Sequence, residues 1–191
     1  MAEDEGRGVL AGKVALVTGC GRLQGIGRAV ALDLARAGAD IAVTDLQVEG
    51  VRNVADASEA ERAAGWRGLP NLVEEIQGLG RRAVALTGDI SDEDDAARMV
   101  GEAIAALGRV DILVNNAGAP HGPDRGTSWE IPIMAFDAVM RINARGSFLM
   151  SRAVIAHLLA RREAGEAIAG RIITIASGAG KRGVPERAAY C

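Results

Sequence analysis

Residues 18–27, TGCGRLQGIG, form a glycine-rich stretch between a short β-branched run and a longer alanine- and leucine-rich one. A strand that turns through such a stretch into a helix makes an anion site. The first helical N–H groups lack partners, and the positive end of the helix dipole faces the turn. Gly19, Gly25 and Gly27 would let the main chain approach a pyrophosphate and let the helix lie close on the strand. Glycine turns also end strands for purely steric reasons, so the turn alone leaves both readings open. Asp45 adds weight to the first, because it closes the second apolar run 18 residues beyond Gly27. A carboxylate about 20 residues on is the acceptor for the ribose hydroxyls of an adenine dinucleotide. Asp45 and Asp89 also read as simple strand-end caps. Cys20 lies in the turn with no base near it in sequence, which suits a small turn residue rather than a nucleophile. His121, in APHGPD, reads as a loop residue, with contact to a substrate as the other reading. With His157 and Cys191 as the remaining histidine and cysteine and no ligand spacing, neither a metal site nor a disulfide framework is expected.

Positioning these groups requires strands alternating with crossover helices, the pattern of an α/β parallel sheet. The first strand runs from Lys13 to Gly19, and its near-continuous apolar character suits a strand covered on both faces. In the helix that follows, Ile26, Val30, Leu34 and Ala37 make one stripe, and Gly38 stands where a terminating glycine belongs. DIAVTDL is the second strand, a helix covers Leu69 to Leu79, and RRAVALTGD is the third strand. Ser91 is placed to cap the next helix, with three early acids, apolar positions Met99, Val100, Ile104 and Leu107, and Gly108 as its stop. VDILVNNAG gives a fourth strand, FDAVMRINARGSFLMSRAVIAHLLARR one long helix, and RIITIAS a fifth strand. Residues 47–68 read as an insertion, either a short helix or a surface excursion. The pairs Arg81-Arg82 and Arg161-Arg162 read as solvated faces.

The composition bounds the partners. With 49% hydrophobic and 25% charged residues, the 191-residue chain is expected to form one domain, 1–191. The 25 glycines follow no repeat and so mark tight backbone positions. Interspersed acids and bases with a net charge of −3 argue against nucleic acid and anionic membranes as partners. The start, MAEDEGRG, is acidic where a secretory signal is basic and then apolar, and no run approaches the ~18 apolar residues of a membrane span. A cytoplasmic location is the expectation.

Taken together, these residues resemble the short-chain dehydrogenases/reductases. The family's glycine pattern is Thr-Gly-x-x-x-Gly-x-Gly, whereas here five residues separate Thr18-Gly19 from Gly25-Ile26-Gly27, a turn longer by two. GDI matches next, with Asp89 and Ile90 at the adenine position, then NNAG, where Asn116, Ala117 and Gly118 contact the cofactor. Asn143 in RINARG, Ser177 after the fifth strand and Tyr190 complete the series, the last two 13 residues apart as in the family. The resemblance implies a Rossmann-like doubly wound parallel sheet of order 3-2-1-4-5 that binds a dinucleotide over the carboxyl ends of its strands. It implies hydride exchange between a secondary alcohol and a ketone, a small-molecule substrate, and a homodimer or homotetramer. Tyr190 is then the acid or base, Ser177 orients the carbonyl, and Asn143 interrupts its helix and fixes a relay water.

The same resemblance shapes expectations about cofactor and completeness. Asp45 favours NAD by repelling the 2′-phosphate of NADP, while Arg22 in the glycine turn is a feature of NADP-preferring relatives. The runner-up activity is therefore an NADPH-dependent reductase of 3-oxoacyl thioesters. In place and length, the segment after Asp45 is similar to the insertion of carveol-dehydrogenase-like members. A free phenol with a pKa near 10 is a poor base at pH 7, and in the family a lysine four residues beyond the tyrosine lowers it. The chain ends at Cys191, before that lysine, the sixth and seventh strands and the substrate lid. The expectation is a segment of a longer enzyme rather than a natural truncation, nearly inactive by itself. A nucleotide-binding module without turnover is the non-enzyme alternative. The fifth strand would then be an open sheet edge, and the apolar face of the helix from Phe136 to Leu159 would lack a neighbour.

Overall fold

A computed structural model of the chain describes residues 8–51, 59–122 and 124–191. Most of the acidic start and part of the 47–68 segment lie outside them. Strands β1 (Val14–Thr18), β2 (Asp40–Asp45), β3 (Ala83–Thr87), β4 (Ile112–Asn115) and β5 (Arg171–Thr174) form one parallel sheet of order 3-2-1-4-5. Parallel neighbours need crossovers, which the helices supply. These are α1 (Ile26–Arg36), α2 (Glu59–Ala63), α3 (Leu69–Gly78), α4 (Glu93–Leu107), α5 (Ile133–Val139) and α6 (Ser147–Glu163). The order reverses between β1 and β4, so the crevice for a ligand opens above those two strand ends.

Side chains alternate along β1 and so feed two cores. Val14 and Leu16 meet Met99, Val100, Leu113, Met150 and Val154 on the α4/α6 side. Ala15 and Val17 meet Ala31, Leu32, Ile41, Leu72 and Ile76 on the α1/α3 side. Every residue of β1 is buried, as its apolar run requires. The β5 edge differs: its four residues are exposed. Phe148, Ile155 and Leu159 on the adjoining α6 are exposed as well.

Four local readings of the sequence are corrected. The buried face of α1 is Gly27, Ala31, Leu32 and Ala35, while Ile26 is 60% exposed, because α1 packs on β1 through its small residues. The cap of α4 is Asp92, whose carboxylate accepts the Asp95 amide (3.0 Å), because Ser91 is already engaged by Asp89. The single long helix is three pieces: α5, a π-helical segment (Met140–Gly146) and α6. Finally, Arg161 is buried rather than solvated, at 8% exposure, and bridges Asp111 (3.2 Å) to Glu166 (2.7 Å). Asp111 lies inside the fold and needs compensating charge. Burial pulls its carboxyl upward, but Arg109, the Val14 amide and Arg161 outweigh that and hold it below the usual range.

Candidate functional site

The glycine turn is shaped by close approaches. Gly19 leaves β1 with φ of +73°, a left-handed conformation, and a Cβ there would lie 2.8 Å from the Ala117 Cα. A Cβ on Gly27 would stand 2.4 Å from the Gly19 carbonyl oxygen, so only glycine lets α1 start this close to the strand end. Gly25 occupies the cap position of α1 and offers no side-chain cap, so the amide donors opening α1 have no such competitor for an anion.

The opposite wall comes from β4. Thr18 Oγ1 accepts the Asn116 and Ala117 amides, each at 3.0 Å, and Asn116 Nδ2 donates to the Thr18 (2.9 Å) and Gly19 (3.0 Å) carbonyls. This latch holds the ends of β1 and β4 side by side. Between them opens a cavity of about 310 Å³ lined by Gly19, Arg22, Asp45, Asp89, Ile90, Asn116, Ala117 and Gly118 among others. Eight of the residues singled out from sequence thus meet in one crevice. Gly25, Ile26 and Gly27, also singled out, open α1 and are not among the residues lining the cavity.

Two carboxylates in this crevice have different electrostatics. Asp45 is buried, and its oxygens accept the Gly21 (2.9 Å) and Leu46 (2.8 Å) amides. Burial pushes its carboxyl above the ordinary range, against the pull of amides from Gly21, Leu46, Val51 and Gln47. Asp89 is opened more to solvent. Burial is the largest single influence and raises it, yet bonds from Ser91 (2.5 Å to the hydroxyl) and Arg141 (2.8 Å) together prevail and hold it below the usual range. Arg141 belongs to the π-helical segment and also lines the cavity, a role the sequence did not reveal.

The lengthened turn has its own support, likewise missed from sequence. Trp66 Nε1 donates to the Gly21 carbonyl (2.8 Å), and Glu61 accepts the Leu23 amide (3.1 Å). The Arg28 guanidinium lies 5.3 Å from the Trp66 ring centroid and pairs with Glu75 at 2.8 Å. The insertion therefore includes the short helix α2 and is fastened to the turn at two of the residues that make the turn long. A lone tryptophan beside charged residues was the only available signal.

Of the three residues expected to do the chemistry, Asn143 lies in the π-helical segment, and its side-chain oxygen accepts the Ala119 amide (2.8 Å) beyond β4. Ser177 follows β5, with Oγ accepting the Ala179 amide (3.2 Å). Tyr190 meets His121 edge to face at 5.2 Å between ring centroids. Among the described residues no hydrogen bond joins these three to one another. Cys20 is fully buried, and burial followed by the Asp45 charge pushes its thiol far above the usual range, so it stays protonated. His157 accepts the Val110 amide (3.2 Å) at the far end of the sheet. Among the described residues no cluster could hold a metal, and no helix is long and apolar enough to cross a membrane.

Comparison with known proteins agrees with this architecture. The family described as short chain dehydrogenase matches residues 13–191. Versicolorin reductase 1 of Dothistroma septosporum is 35% identical over 182 residues, 95% of this chain and 58% of that protein. The 2-dehydro-3-deoxy-D-gluconate 5-dehydrogenase of Escherichia coli is 36% identical over 168 residues, 88% of this chain and 54% of that enzyme. Among solved structures, carveol dehydrogenase from Mycobacterium avium in complex with NAD superposes with a TM-score of 0.78 at 28% identity, over 96% of this chain and 61% of that one. The chain spans somewhat over half the length of each of these relatives. A parallel sheet reversing at a glycine turn, an acidic residue closing β2, the Thr18-Asn116 latch and a match over residues 13–191 agree: the chain belongs to the short-chain dehydrogenase/reductase family of oxidoreductases.

Proposed function

We propose that the crevice above β1 and β4 takes an NAD cofactor and that the protein interconverts a secondary alcohol and a ketone. The residues present fit the group. Gly27 lets α1 begin against the end of β1, the amides opening α1 would hold a pyrophosphate, and Asp45, buried in the cavity wall, would accept the ribose hydroxyls. Bound there, the dinucleotide supplies or accepts the hydride. The chain holds the proton chemistry: Tyr190 serves as acid or base, Ser177 orients the carbonyl, and Asn143 fixes the loop after β4 and a relay water. These roles are those of matching positions in the family, and the relatives named above are reductases and dehydrogenases. The substrate is a small molecule.

The observation that carries the choice of NAD is the setting of Asp45. Its charge is fixed by the Gly21 and Leu46 amides in the cavity wall, where a 2′-phosphate would be repelled and ribose hydroxyls accepted. A second reading, an NADPH-dependent 3-oxoacyl thioester reductase, draws on Arg22, which lines the same cavity. Titration of the chain with NADH and with NADPH, followed by energy transfer from its tryptophans, Trp66 and Trp129, separates the two. NADH binding at least tenfold tighter is expected. Tighter NADPH binding selects the second reading, and binding of neither removes both.

A further inference from the structure

Beside the cavity, three side chains that the roles above do not use, Asp124, Arg187 and His121, cluster around Tyr190. Asp124 is buried at 2% exposure, and its Oδ1 accepts the Gly122 amide (3.0 Å). Its Oδ2 faces Arg187 Nε at 3.8 Å, and among the described residues neither of these two buried atoms has a hydrogen-bond partner. The same guanidinium lies 4.7 Å from the centroid of the Tyr190 ring and donates to His121 Nδ1 (2.7 Å). His121 in turn meets the Tyr190 ring at an interplanar angle of 86°. One planar cation thus touches a face of the tyrosine ring while a histidine meets the ring edge to face, and a buried carboxylate anchors the cation.

The backbone shows why this matters for orientation. Tyr190 sits in a terminal turn whose amide donates to the Arg187 carbonyl (3.0 Å), and Gly126 donates to the Glu186 carbonyl (3.3 Å). Those bonds fix the turn near the loop after β4 but leave rotation about the tyrosine side chain to its neighbours. His121 follows Pro120, which lines the cofactor cavity, so the contacts that set the ring also tie it to the cavity wall. A lysine in place of Arg187 would keep a cation over the ring yet lose the planar fork that reaches Asp124 and His121 together.

We propose that Arg187, anchored on Asp124 and His121, is a positioning residue that sets the orientation of the Tyr190 ring against the cofactor cavity. This rests on the reading of Tyr190 as the acid or base. Tyr190 is the only tyrosine of the chain, so ring-labelled ¹³C-tyrosine gives signals from this residue alone. NADH added to the wild-type chain should move them. In Arg187→Met and Asp124→Asn the free signals should shift, and the NADH-induced movement should fall below half, while NADH affinity stays within twofold. Arg187→Lys should recover part of that movement. Should Arg187→Met fail to fold, Asp124→Asn, which keeps the size and the Oδ1 acceptor, carries the test. Unchanged signals in the variants overturn the proposal, as does a tenfold loss of NADH affinity in step with the signals. NADH that leaves the wild-type signals in place overturns the reading of Tyr190 instead.

Discussion

Asp45 carries most of the cofactor argument, and its environment makes a quantitative expectation. Its carboxylate is aimed by two amides rather than by a flexible partner, so Asp45→Ala removes a fixed charge without a neighbouring ion pair to rearrange. The preference for NADH over NADPH is expected to drop at least tenfold, equivalent to about 1.4 kcal/mol, as read from the ratio of dissociation constants. Gly27→Ala tests the close seating of α1 on the end of β1. A methyl 2.4 Å from the Gly19 oxygen forces α1 off β1, costing on the order of 1–3 kcal/mol. Urea unfolding should show that loss, and dinucleotide binding should weaken with it. Both residues were legible because spacing along a βα unit translates directly into position at a strand end. Trp66, Arg141 and Arg187 were not, because each is held by partners far off in sequence and none belongs to a pattern in its own segment.

Helix boundaries show where local sequence rules compete. Ser91 and Asp92 are both good caps, and the choice fell to Asp92 because Asp89 takes the Ser91 hydroxyl and Arg141 binds it too. Asp92→Ala is therefore expected to cost about 1 kcal/mol of stability, measured by urea unfolding. The π-helical segment was foreseen only as an interruption at Asn143. Its extent, Met140–Gly146, depends on tertiary contacts: a Cβ on Gly146 would lie 2.7 Å from the Ile90 side chain, and Asn143 reaches the Ala119 amide. The wider helical turn aims Arg141 at Asp89 and Asn143 at the loop after β4 from one short stretch. In α1 the apolar stripe was out of phase, since alanine and glycine, carrying little hydrophobic signal, make the contact with β1.

Across the whole molecule, one end of the sheet opens into the crevice and the other carries a charged brace. The brace is Asp111 with Arg109 and Arg161, and it was hidden because a paired arginine at a helix end looks solvated in sequence. Asp111→Ala would leave the buried Arg161 with Glu166 alone of its two carboxylates and take the acceptor from the Val14 amide, and is expected to cost about 3 kcal/mol. Because the Asp111 carboxyl is held below its unfolded value, its stabilisation is full above that value, near pH 4, and is lost as pH falls through the folded one. An acid melt should show this loss in the wild type and lack it in Asp111→Ala. Alternation of strands and helices made the parallel sheet legible, while its order and the open β5 edge, both found as expected, came from the family resemblance. The contact between Gly21 and Gly50 was not legible. A Cβ on Gly21 would lie 2.4 Å from the Gly50 Cα, so two loops distant in sequence share one slot. Such loops constrain one another as heritable modules: a chimera that receives the long turn without residues 47–68, or the reverse, leaves a hole or a collision, and only a joint transplant should graft cleanly into a relative.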